Sequence, residues 1–267
     1  MINPQGSGMP PHPMDVGGVY DAALKFYRDH FVTLIGACTL ITVPAALLTA
    51  LAGPNAASFI AAIVVVLLPT VTVLVADQVI TTGSATIGST WRRLRGRFGV
   101  LAVTTLMLAG LLVAWAIAVV VGFALLFVPG LLATVGGSIY VVRWIFVLVV
   151  TAAEDERYGD ALSRSSELVA GHWWRVLGIL LLTSLVINTA EFALGGAVGA
   201  LAAWAKVSAD SFDRLVAIAS APILVLLLPL QASILTMLYY DQRVRREGTD
   251  IAAALDAIPP PQAGPQR

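Results

Sequence analysis

Charge is what this chain has least of: only 12% of its 267 residues are Asp, Glu, Lys or Arg. Soluble domains carry roughly 25%, so a water-facing surface over the whole molecule is excluded. Sixteen basic residues balance sixteen acidic ones, and with no net positive field there is no footprint for a nucleic-acid partner. Cysteine is nearly absent too. The single Cys38 lies in the first apolar stretch, reads as a small packing residue and can form no intrachain disulfide. No cleavable leader is expected, because about thirty mostly polar residues precede the first apolar run.

What the chain has in abundance is apolar length. Hydrophobic residues make up 58% of it, and the mean hydropathy is +0.86. A bilayer core of about 30 Å takes about 20 helical residues to cross. Runs of that length fall at about 31–52, 56–77, 100–127, 131–153, 175–202 and 215–240. Lipid offers the backbone no hydrogen-bond partner, so these spans are expected as helices, and the alternation of a membrane barrel is missing. The expected fold is all-α, a polytopic bundle of about six spans over residues 15–250. A Pro- and Gly-rich tail at 1–14 is expected to be disordered, and 251–267 mostly so after a short helical remnant. Gly53-Pro54 and Pro129-Gly130 read as tight turns between paired spans.

Orientation follows from the basic residues. Lys25, Arg28, Arg92, Arg93, Arg95, Arg97, Arg157, Arg164, Arg175, Arg243, Arg245, Arg246 and Arg267 alternate onto one side, while only Lys206 and Arg214 fall on the other. The positive-inside bias then places both termini in the cytoplasm, with the plasma (inner) membrane as the location. Before the odd spans, 16–29 and 158–171 are expected as amphipathic helices lying along the cytoplasmic interface, the first with Val16, Val19, Tyr20, Ala23 and Tyr27 on one face. HFVTLIG (30–36) and HWWRVLG (172–178) are similar, which suggests a repeated unit of one interfacial helix and two spans.

Three blocks, VPGLLATVGGSIYVVRW (128–144), DALSRSSELVAGHWWRVLG (160–178) and LYYDQRVRREGTDI (238–251), carry a resemblance. With the six-span layout, they are similar to the bacterial glycerophosphoryl diester phosphodiesterase membrane domain family over about residues 15–251. Some members of that family fuse this region to a soluble phosphodiesterase barrel. The stretch after Asp250 is too short to hold one. The resemblance therefore implies an association with lipid-headgroup metabolism, without the activity.

No catalytic, cofactor-binding or metal-binding residues are expected. His30 and His172 read as interfacial anchors, Glu154, Asp155 and Glu156 as a solvated loop, and Asp77 and Asp241 as span-boundary residues. Trp173, Trp174, Tyr239 and Tyr240 read as a cytoplasmic aromatic belt, with Trp204 as its outer counterpart. Arg143 falls in the middle of span 131–153, where a charge costs about 2.5–3.5 kcal/mol on insertion scales and needs a partner. Glu191 lies at a compatible depth in the next span, with Asn188 one turn below it. The pair reads either as a register-fixing tie or as a ligand site. Gly195 and Gly199 form a close-approach face for a helix of the same chain or of a second copy.

Two functions fit these features. One is a non-catalytic module that organises a membrane-associated enzyme or anionic lipid headgroups on its cytoplasmic side. The other is a small-solute transporter with its site at Arg143 and Glu191.

Overall fold

The computed structural model describes residues 13–256, apart from 52, 53, 84, 86, 155 and 208. Most of both expected tails, and Gly53, therefore lie outside the described residues. Nine helices and no strand are found among those described: α1 (Val16–Asp29), α2 (Phe31–Leu51), α3 (Pro54–Thr82), α4 (Ile87–Leu125), α5 (Phe127–Arg143), α6 (Val147–Ala153), α7 (Tyr158–Val169), α8 (Trp173–Trp204) and α9 (Ala209–Asp256). Among the described residues, four stretches are long and apolar enough to cross a membrane: Phe31–Leu48, Gly99–Leu125, Phe127–Ala153 and Trp173–Trp204. The expected spans 56–77 and 215–240 fall within α3 and α9.

Local chemistry sets several boundaries. Asp15 caps α1 by accepting the Gly18 N–H at 2.8 Å, satisfying a donor that the first turn cannot pair internally. Gly171, at φ +83°, takes the left-handed conformation that ends α7 and lets α8 start two residues later. The turn between the third and fourth expected spans is made at Leu126, in extended conformation, and not at Pro129-Gly130, which lie in the first turn of α5. There proline's missing N–H costs no hydrogen bond.

At that turn α4 and α5 nearly touch. A Cβ on Gly122 would come within 2.8 Å of the Gly130 Cα, and lower down Trp115 Nε1 donates to the Ala133 carbonyl at 2.8 Å. Gly122→Val is therefore expected to force the hairpin apart and lower stability by roughly 1–3 kcal/mol. Thermal unfolding in detergent micelles measures this, and an unchanged melting temperature would refute the close contact.

The core is not spread evenly. Buried side chains concentrate in α1, the second half of α3, α6, α7, the start of α8 and residues 229–242 of α9. By contrast, α4 beyond Thr105, most of α5 and the second half of α8 expose large apolar residues such as Leu112, Val120, Leu132 and Phe192. Apolar side chains turned outward on long helices are what a lipid solvent permits.

Two expectations change here. The segments 16–29 and 158–169 are helices, but α1 does not lie alone on a membrane surface. Its Met14 end meets Asp241, Tyr20 Oη donates to the Ile179 carbonyl at 2.8 Å, and Tyr27 Oη reaches the Leu226 carbonyl at 3.1 Å. Helix α1 thus runs antiparallel along α9 for about 20 Å. Its buried line is Val19, Ala23 and Phe26, with Val16 left exposed.

The second change is that span 131–153 is not one helix. It breaks at 144–146 into α5 and α6, and α6 is buried in the core.

Candidate functional site

Three carboxylates, each following an apolar run, hold the core together: Asp77 in α3, Glu154 at the end of α6 and Asp241 in α9. The side chain of Asp241 has no exposed surface. Arg175 Nη1 donates to its Oδ2 at 2.6 Å, Arg245 Nε at 3.0 Å and Gln242 Nε2 at 3.2 Å, while the Met14 N–H donates to Oδ1 at 2.7 Å. Both guanidinium groups also donate to the Met14 carbonyl. A burial this deep is tolerable for a carboxylate only because every oxygen is met by charge-assisted donors. The cluster joins α8, α9 and the entry to α1.

The adjacent tyrosines of α9 reach the other two acids. Tyr240 Oη donates to Asp77 Oδ1 at 2.8 Å and Tyr239 Oη to Glu154 Oε1 at 2.6 Å. Beside Asp77, Gln78 Nε2 donates to Ser89 Oγ at 2.6 Å, which ties α3 to the start of α4. Arg164 of α7 grips Glu154 with two bonds of 2.7 and 3.2 Å, and Glu247 joins Arg164 and Arg243 at 3.3 and 2.8 Å. Arg97 Nη1 donates to the Ala152 carbonyl at 2.5 Å.

Burial alone would raise the Glu154 pKa, but the Arg164 and Tyr239 hydrogen bonds outweigh it, and the carboxyl sits below the usual carboxylate range. A lowered folded-state pKa means that the stabilisation is present above the unfolded value, about 4.3, and fades as pH falls through the folded one. The protection of the α7 amides, taken relative to their intrinsic exchange rate at each pH, should therefore be constant from pH 8 to 5 and fall below about pH 4. In Glu154→Gln that acid-dependent step should shrink. An identical acid response in both proteins would contradict the tie.

The break between α5 and α6 has its own support. Ser165 Oγ of α7 donates to the Arg143 carbonyl at 2.7 Å and accepts the Phe146 N–H at 3.2 Å. One hydroxyl thus satisfies both sides of the interruption.

That break decides the fate of the expected intramembrane site. Arg143 is exposed in the last turn of α5, where a cation suits the helix dipole. Glu191 and Asn188 are exposed on α8, and no ion pair joins Arg143 to Glu191. Depth explains the separation. Phe146 packs on Tyr239, ring centroids 6.1 Å apart, so Arg143 sits within about a turn of the polar layer. Glu191 lies sixteen residues beyond Arg175 on unbroken α8, about 24 Å further along. Gly195 and Gly199 have nothing within 4 Å of an added Cβ among the described residues.

Other expectations are also corrected. Asp77 and Asp241 are fully buried anchors, and Glu154 is part of the layer and not a solvated loop. Tyr239 and Tyr240 are buried, at 0% and 2% exposure, so they form no belt, although Trp174 and Trp204 are exposed. The available signal was Asp-Gln recurring after an apolar run, at Asp77-Gln78 and Asp241-Gln242. His30 Nδ1 lies 3.1 Å from the Phe26 carbonyl, His172 precedes α8, and Cys38 is buried 3.5 Å from Thr72 Oγ1. Among the described residues no group of three or more His, Cys, Asp or Glu is placed to hold a metal ion. Comparison with family models, with curated proteins and with solved structures finds no match to this chain.

Proposed function

We propose that this chain is a non-catalytic membrane module of six spans, with both termini cytoplasmic, that organises anionic lipid headgroups or a lipid-metabolising partner at its inner face. The observation that carries the reading is the use made of the buried charges. Asp241 is tied to Arg175 and Glu154 to Arg164 as braces between helices, which favours a rigid platform. Around it, Arg92, Arg157 and Arg246 are exposed. Basic side chains at a membrane surface attract anionic headgroups by about 1 kcal/mol each. The resemblance of 128–144, 160–178 and 238–251 to the phosphodiesterase membrane domains supports the same link to headgroup metabolism.

The test is the melting temperature of the purified chain in vesicles of phosphatidylglycerol and of phosphatidylcholine. Phosphatidylglycerol should raise it, and Arg92→Gln with Arg157→Gln and Arg246→Gln should reduce the gain. An equal response to both lipids would remove the headgroup reading. Solute uptake by the same vesicles above that of protein-free ones would put transport in its place.

A further inference from the structure

Glu191 and Asn188 are polar residues that the buried layer does not absorb. Both are exposed near the middle of α8, the 32-residue helix Trp173–Trp204 that is apolar enough to cross a membrane. Phe192, Leu194 and Leu201 around them are also exposed. Lipid suits those three, but a carboxyl and a carboxamide need hydrogen-bond partners that hydrocarbon lacks. Asn188 Nδ2 gives one N–H to the Ser184 carbonyl at 2.7 Å and carries a second. Arg143, the partner expected from the sequence, forms no ion pair with Glu191.

The polar pair is part of a shaped face. At about 100° per residue, Asn188, Phe192, Gly195 and Gly199 fall in a stripe about 60° wide, with Glu191 on its flank. The buried line of α8, through Val176, Ile179, Thr183 and Ile187, lies on another side. Leu185, Asn188, Thr189, Glu191 and Phe192 line an open hollow of about 590 Å³.

We propose that this face is where a second copy of the chain docks, α8 against α8 in parallel. Two copies inserted in the same direction are related by an axis along the membrane normal, so each residue meets its equivalents at equal depth. The patch is self-complementary under that symmetry: the free N–H of Asn188 on one copy donates to the Glu191 carboxyl of the other, and the reverse pair forms across the axis. Gly195 and Gly199 let the backbones approach, as small residues do in membrane helix pairs. A lipid tail offers neither a donor nor an acceptor at this depth, whereas a second copy offers both.

The experiment measures energy transfer between donor- and acceptor-labelled full-length chains in liposomes as the protein-to-lipid ratio is varied. Wild type should associate. Glu191→Leu and Asn188→Leu should each weaken association by roughly tenfold, and Gly195→Leu should do so further. Gly178→Leu, equally open but outside the stripe, should change nothing. Beyond the Asn188 bond to the Ser184 carbonyl of its own helix, these exposed positions have no tertiary partner among the described residues, so melting temperatures should stay close to wild type. As a second readout on unaltered packing, Gly199→Cys should cross-link between copies and Gly178→Cys should not, both in a Cys38→Ser background. Two results would overturn the proposal: monomers at every ratio, or association that Glu191→Leu and Gly195→Leu leave intact. Either would assign the polar pair to some other ligand.

Discussion

Asp241→Ala is expected to cost about 3–5 kcal/mol of stability, the usual loss when one member of a buried ion cluster is removed. The residue has no exposed surface and is the acceptor for Arg175, Arg245, Gln242 and the Met14 N–H together. Without it two guanidinium groups face each other around the Met14 carbonyl, partly buried and unneutralised. Arg175→Leu should cost less, because Arg245 still balances the carboxylate. In the double variant the loss should fall short of the sum of the singles. Chemical unfolding in micelles reads all three, and a loss below about 1 kcal/mol in Asp241→Ala would mean that the carboxylate is not a brace.

Ser165→Ala should be nearly as damaging, although it removes one oxygen atom. That oxygen is the partner of both the Arg143 carbonyl and the Phe146 N–H, and Phe146 and Ser165 are each 0% exposed. An orphaned buried backbone group costs about 1–3 kcal/mol, and here two are orphaned at once. Ser166→Ala is the control. Its hydroxyl donates only to the Leu162 carbonyl of its own helix, so the change should be close to neutral. Equal melting temperatures for the two variants would show that the break between α5 and α6 stands without Ser165.

The helical class and the apolar stretches were legible in the sequence because lipid restricts the backbone to few options, and hydropathy reports length directly. Segments 16–29 and 158–169 were legible through their 3.6-residue period. What could not be read was tertiary. Nothing in Arg143-Trp144-Ile145-Phe146 signals a helix break, since it contains neither proline nor glycine. The break depends on a serine from α7. Treating 131–153 as straight carried Arg143 to mid-membrane and made Glu191 its partner. The polar layer was hidden for a similar reason. Tyr240 and Asp77 are 163 positions apart, and Tyr239 and Glu154 are 85 apart. Each residue alone looks like a membrane-boundary residue.

Depth in the bilayer tests the arrangement most directly. A nitroxide placed in turn at position 143 and at position 191, in liposomes, reports depth through its relative accessibility to oxygen and to a water-soluble nickel chelate. The structure predicts that the label at 143 meets the nickel chelate at the membrane surface, beside the Glu154 and Asp241 layer. At 191 it should meet oxygen, deep in the hydrocarbon. Equal accessibility at both positions, with both labels deep, would contradict the broken span and the layer beneath it.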